Sequence, residues 1–469
     1  MKKINQLYDC MYDNEVKDIK INSKEVTYGD IFVCTKGVNT DRHDFIDEAV
    51  EKGANFLIVK KDGNYKVPYI KVDDPNKELA VLANKFYDYP CDKLKLIGIT
   101  GTDGKTTTAT IIRDLLGKDK CGYIGTNGVE GKTFLDKNSN TTPECHLIYK
   151  YLYLFRKDKL DYVSMETSSE AFFRNRLDSF KFDVGILTNI TGDHLNIHKS
   201  FENYIESKKQ LFKQIKDTGV IILNIDDKYY SEFKDIFPNK LTYGKNKNAD
   251  LFIKEFVEKE NFTKITFVYK NIQYKIKSPL LGEFNVYNLM AGILSLLALD
   301  IPMIDILLNI KNVSTPKGRC EILDFNTDHK IVLDYAHTPN GLLSILNYLN
   351  KIKENRIITV TGSAGGREKE KRKEMGRVVL EKSDLVIFTM DDPRYENPKD
   401  IINEMIDNNT GNYKIIVDRE EAIKYALDNA KDKDIILIAG KGRDNYMAIE
   451  DKYIEYSDYD VIEKYFNKK

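Results

Sequence analysis

The run Gly98-Ile-Thr-Gly-Thr-Asp-Gly-Lys-Thr-Thr-Thr108 closes an apolar stretch, Leu94 to Thr100, and opens a helical one, Thr106 to Leu116. A strand that turns through glycines into a helix commits the chain to an α/β layer. It also leaves backbone N–H groups and a helix N-terminus pointing at one spot, where phosphate binds well. In that frame Lys105 neutralises the β and γ phosphates and Thr106 offers a hydroxyl to Mg²⁺. The common form of the loop has glycine at position 99, which is Ile99 here, so this is a shortened variant. For the fold alone, Gly101 and Gly104 supply the positive φ of a tight turn. ATP is the ligand this context predicts.

Similar alternation runs on both sides of the loop. Ile31 to Cys34 and Phe56 to Val59 read as short strands around a helical stretch from Phe45 to Lys52. Asp161 to Met165 and Asp183 to Thr188 are further strands, and Leu251 to Ile276 alternates like an antiparallel meander. After Pro316-Lys-Gly318, strands at Ile331 to Asp334, Ile357 to Thr361, Leu385 to Thr389, Lys414 to Val417 and Ile435 to Ile438 alternate with helices. That is the pattern of a doubly wound, mostly parallel sheet. The expected architecture is α/β in three domains: a small α/β domain over 1–90, a P-loop-type ATPase domain over 91–313 and a Rossmann-like domain over 314–469. A length of 469 residues agrees with a prior of about 150 residues per domain.

Charge and cysteine usage narrow the function classes. With 72 basic and 73 acidic side chains the chain has no net field to hold nucleic acid or an anionic membrane. Its 6 cysteines fall in no CxxC pair, which argues against zinc or a disulfide framework and for a reducing, cytoplasmic setting. No apolar run follows the basic start, and Asp300, Pro302 and Asp305 break the stretch from Leu289 to Leu308, so neither secretion nor membrane spanning is expected. Arginine is scarce beside lysine, which marks each arginine as a candidate for a site needing a planar, bidentate fork.

The segment Gly101-Thr-Asp-Gly-Lys-Thr resembles the GTxGKT loop of the Mur ligases, ATP-dependent enzymes that build the peptide of bacterial cell wall. The resemblance keeps the order of motifs along the whole chain and is nearest to the MurE type. It implies nucleotide contacts from Gly101, Thr102, Asp103, Gly104, Lys105, Thr106 and Thr107. Glu166, in Met165-Glu-Thr-Ser-Ser169, is similar to the family's Mg²⁺ ligand, and Ser168 beside it to a substrate contact. His194, in Thr188-Asn-Ile-Thr-Gly-Asp-His194-Leu-Asn-Ile-His198, maps onto a histidine that holds a second Mg²⁺, with Asn196 replacing the usual Asp. Lys208 falls where the family carries a carbamylated lysine, a cation turned into a carboxylate-like metal ligand. From the residues alone, Lys208 and Lys209 form a solvated helix face.

The same resemblance places Asn285 and Asn288 against adenine, although Asn285 reads equally well as a helix N-cap. Arg319, Asp334 and His337 fall in elements similar to the hinge and DYAHTP segments near the nucleotide. Ser23 and His43 match uridine-diphosphate elements, and Thr141, Thr142 and Arg176 match muropeptide contacts. Read bare, Thr141-Thr-Pro143 is a helix start with a hydroxyl cap. Glu170 stands where most members have His. In the last domain, Arg367, Asp391, Asp392, Arg394, Gly440 and Asp444 are implied to meet the incoming amino acid. Asp392 replaces the Asn of a DNPR motif and would repel a carboxylate unless an ammonium lies between them. Arg443 and Asp444 replace the His and Glu of GKGHE.

The resemblance therefore implies a monomeric, ADP-forming ligase that adds a diamino acid to UDP-N-acetylmuramoyl-L-alanyl-D-glutamate, with ATP and Mg²⁺. It ranks meso-diaminopimelate ahead of L-lysine. The competing expectations are a paralogue with another amine or acceptor, a P-loop ATPase without ligase activity, and a catalytically silent nucleotide-binding protein. A folylpolyglutamate synthetase is disfavoured by its GTNGKGS loop.

Overall fold

Strands buried on both faces, such as Val184 to Leu187, Ile221 to Leu223 and Ile435 to Ala439, organise the molecule, because only a sheet covered by helices on both sides shields such runs from water. The computed structural model describes residues 1–37, 40–137, 140–192, 195–259 and 261–467, with the side chains of residues 195 and 196 left out. The chain divides into two units. One comprises residues 1–96, 119–163 and 174–181; the other comprises 97–118, 164–173 and 182–469.

In the first unit, Ile19–Lys20, Asp30–Val33, Ala54–Val59 and Tyr69–Lys71 form a parallel four-stranded sheet in that order. Val26, Phe32, Leu57, Val59, Ile46 and Ala49 pack into one core. Helix Pro75–Phe86 begins as its sequence dictates: Asp74 accepts from the N–H groups of Asn76 and Lys77, and proline occupies the first turn. Helix Cys145–Lys157 belongs to the same unit.

In the second unit, Ile97 to Thr100 pairs in parallel with Phe182–Leu187, which pairs with Ile215–Asn224, followed by Lys240–Gly244 and Leu251–Glu258. The meander continues antiparallel through Thr263–Tyr269 and Ile272–Ser278. A second sheet has the order Glu321–Leu323, Lys330–Asp334, Ile435–Ala439, Ile357–Thr361, Leu385–Phe388, Tyr413–Ile415, with the first strand alone antiparallel. Helices Pro339–Ile352, Glu370–Lys382 and Pro398–Ile406 bury Leu342, Met375 and Ile402 in one core, while Arg419–Asp428 and Asp458–Asn467 bury Ile423 and Val461 in another. Two cores contributed by one sheet are what double winding means. Among the described residues, no helix is long and apolar enough to cross a membrane.

The two helices of the second core are joined by Arg419 and Asp458, both 0% exposed. The guanidinium donates to both carboxylate oxygens at 2.8 Å and to the carbonyl of Ala439 at 2.9 Å. Arg419→Ala would strand a buried carboxylate and is expected to lower stability by about 3–5 kcal/mol. Denaturant unfolding checks this, and a loss below about 1 kcal/mol, the range of an exposed pair, contradicts it.

Candidate active site

The glycine loop after Thr100 is shaped by what crowds it. Gly101 has φ +148°, and a Cβ there would stand 1.8 Å from the Thr188 hydroxyl. At Gly104, φ +84°, a Cβ would stand 2.5 Å from Asn288 Oδ1. Thr188 and Asn189 hold the loop from outside: Thr188 Oγ1 donates to the Asp103 carbonyl at 2.6 Å, and the Asn189 amide exchanges two bonds with the Asp103 backbone at 3.0 and 3.1 Å. Thr102 is fixed by the Thr191 backbone and by the Tyr204 hydroxyl at 2.8 Å. Helix Lys105–Leu116 starts directly behind, with buried Thr107 in its first turn.

Three oxygen-bearing side chains gather at this loop. Thr106 Oγ1 donates to Glu166 Oε2 at 2.9 Å, and Glu166 is 0% exposed at the end of strand Tyr162–Glu166. Asp103 Oδ2 is buried without a hydrogen-bond partner among the described residues. Hard oxygen donors of this kind suit Mg²⁺, which keeps several waters and takes one or two carboxylates plus phosphate oxygens. No cluster of three or more His, Cys, Asp or Glu gathers for a metal among the described residues. His194 lies outside the described residues, as does the side chain of Asn196.

Two lysines converge on one carbonyl. Lys105 Nζ donates to the carbonyl oxygens of Gly101 and Thr102 at 3.0 and 2.9 Å, and Lys208 Nζ reaches the same Gly101 oxygen at 2.7 Å. Lys208 is 2% exposed, with its ammonium 4.4 Å from the centre of the Tyr204 ring. The solvated-face reading of Lys208 is thus corrected: helix Phe201–Lys213 turns that side chain inward, while Lys209 meets Glu206 and Glu232 on the outer side. Nearby, Ser207 donates to the Ser169 carbonyl at 2.6 Å, and the backbone N–H of Ala171 donates to Ser168 Oγ at 3.2 Å.

Helix Glu283–Leu297 supplies the asparagines. Asn285 is not the N-cap: Gly282, φ +88°, takes that position, and the Asn285 amide donates back to the Leu281 carbonyl at 2.8 Å. Its oxygen accepts from Asn288 at 3.2 Å, and Asn288 accepts from Thr108 at 3.3 Å, so both asparagines abut the loop helix. Arg319 lies over the Tyr335 ring at 4.3 Å, with Nη2 3.4 Å from Thr106 Oγ1. Asp334 is already engaged by the N–H groups of Cys320 and Ala336 at 2.6 and 2.7 Å, and His337 Nδ1 meets the Tyr335 carbonyl at 2.8 Å.

Past the carboxyl ends of four strands of the second sheet lies a cavity lined by His337, Arg367, Asp391, Asp392, Arg394 and Asp444, with Gly440 on its wall. Open parallel sheets bind ligands in that crevice. It gathers the six residues expected to meet an amino acid. Buried Arg372 grips both oxygens of Glu396 at 2.8 and 2.9 Å, and Glu396 accepts the Gly366 N–H at 2.6 Å, which ties the turn bearing Arg367 to the turn bearing Arg394. The expected repulsion at Asp392 is answered by Lys441, whose Nζ lies 2.8 Å from Asp392 Oδ1, an oxygen that also accepts the Ala448 N–H at 3.0 Å. Sequence reasoning missed Tyr335, Lys371 and Tyr446 on the cavity wall and Lys441 as the partner of Asp392, although three of the four sit inside or beside quoted motifs.

The remaining expected contacts lie in the first unit. Ser23 donates to Glu48 at 2.6 Å. His43 has both ring nitrogens engaged, Nδ1 with Asp41 at 2.6 Å and Nε2 accepting the Lys60 N–H at 3.0 Å. Arg176 donates to the Thr142 carbonyl at 3.1 Å and pairs with Glu144 at 2.9 Å, while Thr141 meets Thr126 at 3.1 Å. The bare reading of Thr141-Thr-Pro143 as a helix start is corrected: Glu144 precedes the helix, which begins at Cys145, and the threonines belong to the loop that Arg176 holds.

Three family descriptions match the chain in order: Mur ligase family, catalytic domain, over residues 15–87; Mur ligase middle domain over 99–296; and Mur ligase, glutamate ligase domain, over 318–442. A UDP-N-acetylmuramoyl-L-alanyl-D-glutamate--2,6-diaminopimelate ligase of Clostridium acetobutylicum is 38% identical over 97% of this chain and 95% of its own. The chain belongs to the Mur ligase family. A like-named ligase of Fusobacterium nucleatum is 37% identical over 98% of this Mur ligase and 95% of that protein. A solved structure of a UDP-N-acetylmuramoyl-L-alanyl-D-glutamate--2,6-diaminopimelate ligase superposes with a TM-score of 0.67 at 26% identity, covering 100% and 99% of the two chains. MurF of Thermotoga maritima in complex with ADP shares the fold, with a TM-score of 0.70 at 23% identity over 92% and 95%. As a Mur ligase, this protein is an ATP-dependent, ADP-forming enzyme.

Proposed function

We propose that this Mur ligase joins meso-diaminopimelate to the D-glutamate carboxylate of UDP-N-acetylmuramoyl-L-alanyl-D-glutamate, as a cytoplasmic monomer in peptidoglycan precursor synthesis. Its domains on this reading are 1–90 for the UDP-muropeptide, 91–313 for ATP and 314–469 for the amino acid. The observation that carries the reading is the cavity behind Gly440. Arg367 and Arg394 face it together with Asp391, Asp392 and Asp444, a set matched to a molecule bearing two carboxylates and two ammonium groups. The names of the relatives agree.

The glutamate carboxylate attacks the γ-phosphorus, the bond to the β-phosphate oxygen breaks, and ADP leaves an acyl phosphate behind. Lys105 swings from the Gly101 and Thr102 carbonyls onto the phosphates, since phosphoryl transfer depends mainly on positioning and neutralised charge. Thr106, Glu166, His194 and carbamylated Lys208 would hold Mg²⁺, which would supply positive charge against the phosphate oxygens. Two ammonium groups on one carbonyl repel each other, so carbamylation of Lys208 relieves the crowding at Gly101 and supplies an anion. The free amine of the amino acid then attacks the acyl carbon, phosphate departs, and the amine proton is lost as the amide forms. Asp391, Asp392 and Asp444 orient the ammonium ends, and Arg394 clamps the distal carboxylate.

Burial pushes Asp444 up to about 6, aided by Asp391 and Asp392 and opposed by Lys441. Because the folded value lies above the ordinary 3.8, this carboxyl holds its proton more tightly in the folded chain, and its contribution to stability fades as pH rises through about 6. An ammonium acceptor must be ionised. The KM for the amino acid is therefore expected to fall as pH rises through about 6, and Asp444→Asn to flatten that profile; an unchanged profile in the variant contradicts the role.

A second reading, a paralogue for another amine, is favoured by Asp392 and Asp444 standing where the motifs read Asn and Glu. ADP release with a panel of amines separates the two: stimulation by meso-diaminopimelate supports the first, and stimulation by another amine alone supports the second.

A further inference from the structure

Arg443 sits one residue before Asp444 but does not line the cavity. Its guanidinium turns to Glu321, donating through Nε at 2.9 Å and Nη2 at 2.6 Å, and stacks over the Tyr459 ring at 3.6 Å. The same Glu321 carboxylate accepts the Gly318 N–H at 2.6 Å. Burial works against that charge, yet the hydrogen bonds from Arg443 and Gly318 hold Glu321 below the usual carboxylate range. One side chain thus straps together two loops far apart in sequence.

The backbones of these loops touch. Gly318 has φ +74°, and a Cβ on it would stand 2.6 Å from the Arg443 nitrogen; Gly442 has φ +53°, and a Cβ there would stand 2.7 Å from the Gly318 carbonyl oxygen. No other residue allows that approach at either position. The first loop carries Arg319, whose guanidinium reaches Thr106 at the phosphate end. The second carries Asp444 at the amine end, with its N–H bonded to the Lys441 carbonyl at 2.9 Å. Tyr335 lies between them, under Arg319 on one side and on the cavity wall on the other.

We infer that Glu321 and Arg443 form a strut that fixes the reach between Arg319 and Asp444, and so are positioning residues for capture of the acyl phosphate by the amine. The inference rests on the reading of Asp444 as the ammonium acceptor. A bidentate guanidinium–carboxylate pair fixes angle as well as distance, which a single lysine or histidine contact does not. When the strut is cut, the phosphate side still assembles, but the amine approaches the acyl carbon from a loosened loop. Displacement of an attacking atom by about 1 Å costs about a hundredfold in rate, so even a small loosening is legible.

The test follows ADP and amide product side by side in the full chain with Mg²⁺, ATP, UDP-N-acetylmuramoyl-L-alanyl-D-glutamate and meso-diaminopimelate. In Arg443→Gln and Glu321→Gln, the KM for meso-diaminopimelate is expected to rise about tenfold and the KM for ATP to stay within about twofold. More than one ADP should be released per amide, because the acyl phosphate then meets water before the amine. The double variant should be no worse than either single one, and Arg443→Lys should recover part of the loss. Should a glutamine variant fail to fold, Arg443→Lys carries the test with the same split at smaller size. One ADP per amide with an unchanged KM for the amino acid overturns the strut, as does an equal rise in both KM values. A wild-type chain that hydrolyses ATP but makes no amide with any amine strikes the proposed function instead.

Discussion

Lys208→Ala is expected to lower the rate of ligation by about a thousandfold while the protein stays folded. The side chain is 2% exposed and reaches the Gly101 carbonyl inside the phosphate loop, so nothing in bulk water replaces it. Its loss removes no large apolar group, and the melting temperature should move by only a few degrees. If the residue acts as a carbamate, removing bicarbonate from the wild-type assay reduces activity and returning it restores activity, while the alanine variant responds to neither. Full activity in Lys208→Ala, or indifference of the wild type to bicarbonate at every concentration of enzyme, refutes this role. Tyr204 sharpens the argument: its ring lies 4.4 Å from the Lys208 nitrogen and its hydroxyl holds Thr102, so lysine and loop share one support.

The second large effect is at Arg394. Arg394→Ala should raise the KM for meso-diaminopimelate by about a hundredfold, the size of a lost bidentate charge-assisted contact, with the KM for ATP little changed. Arg394 stands in the left-handed region at φ +51°, and its N–H and carbonyl bond to Ala448 and Glu450, so its backbone is held and the guanidinium is aimed by the fold. Arg394→Lys keeps the charge but loses the fork and should recover no more than about a tenth of the lost affinity. Equal KM values for wild type and Arg394→Ala would place the distal carboxylate elsewhere, with Arg367 the next group to test.

What the sequence made legible follows from locality. The phosphate loop is a run of eleven adjacent residues whose glycines, lysine and threonine each have one physical reason to be there, and the strand before it is an apolar run with no helical period. The DDPR and GKGRD motifs were legible for the same reason. The misreadings concern side chains whose partners are distant in sequence. Lys208 looks solvated because the helix pattern says which face is apolar, not that a buried carbonyl at Gly101 awaits an ammonium. Asn285 looks like a cap because Gly282 takes that place by backbone conformation, without a side chain to announce it. Lys441 reaches Asp392 across 49 residues, which no local pattern encodes. The scarcity of arginine proved informative: Arg372, Arg419 and Arg443 each form bidentate carboxylate pairs in or beside the second sheet.

The central claim, that this Mur ligase couples ATP to the joining of meso-diaminopimelate and the UDP-linked dipeptide, is tested most directly by ADP release from the purified protein with Mg²⁺, ATP and UDP-N-acetylmuramoyl-L-alanyl-D-glutamate. The amines are supplied one at a time and the product is weighed by mass spectrometry. The expected result is strong stimulation by meso-diaminopimelate and a product heavier than the acceptor by one diaminopimelate residue. No stimulation by meso-diaminopimelate, with ATP still bound, would contradict it.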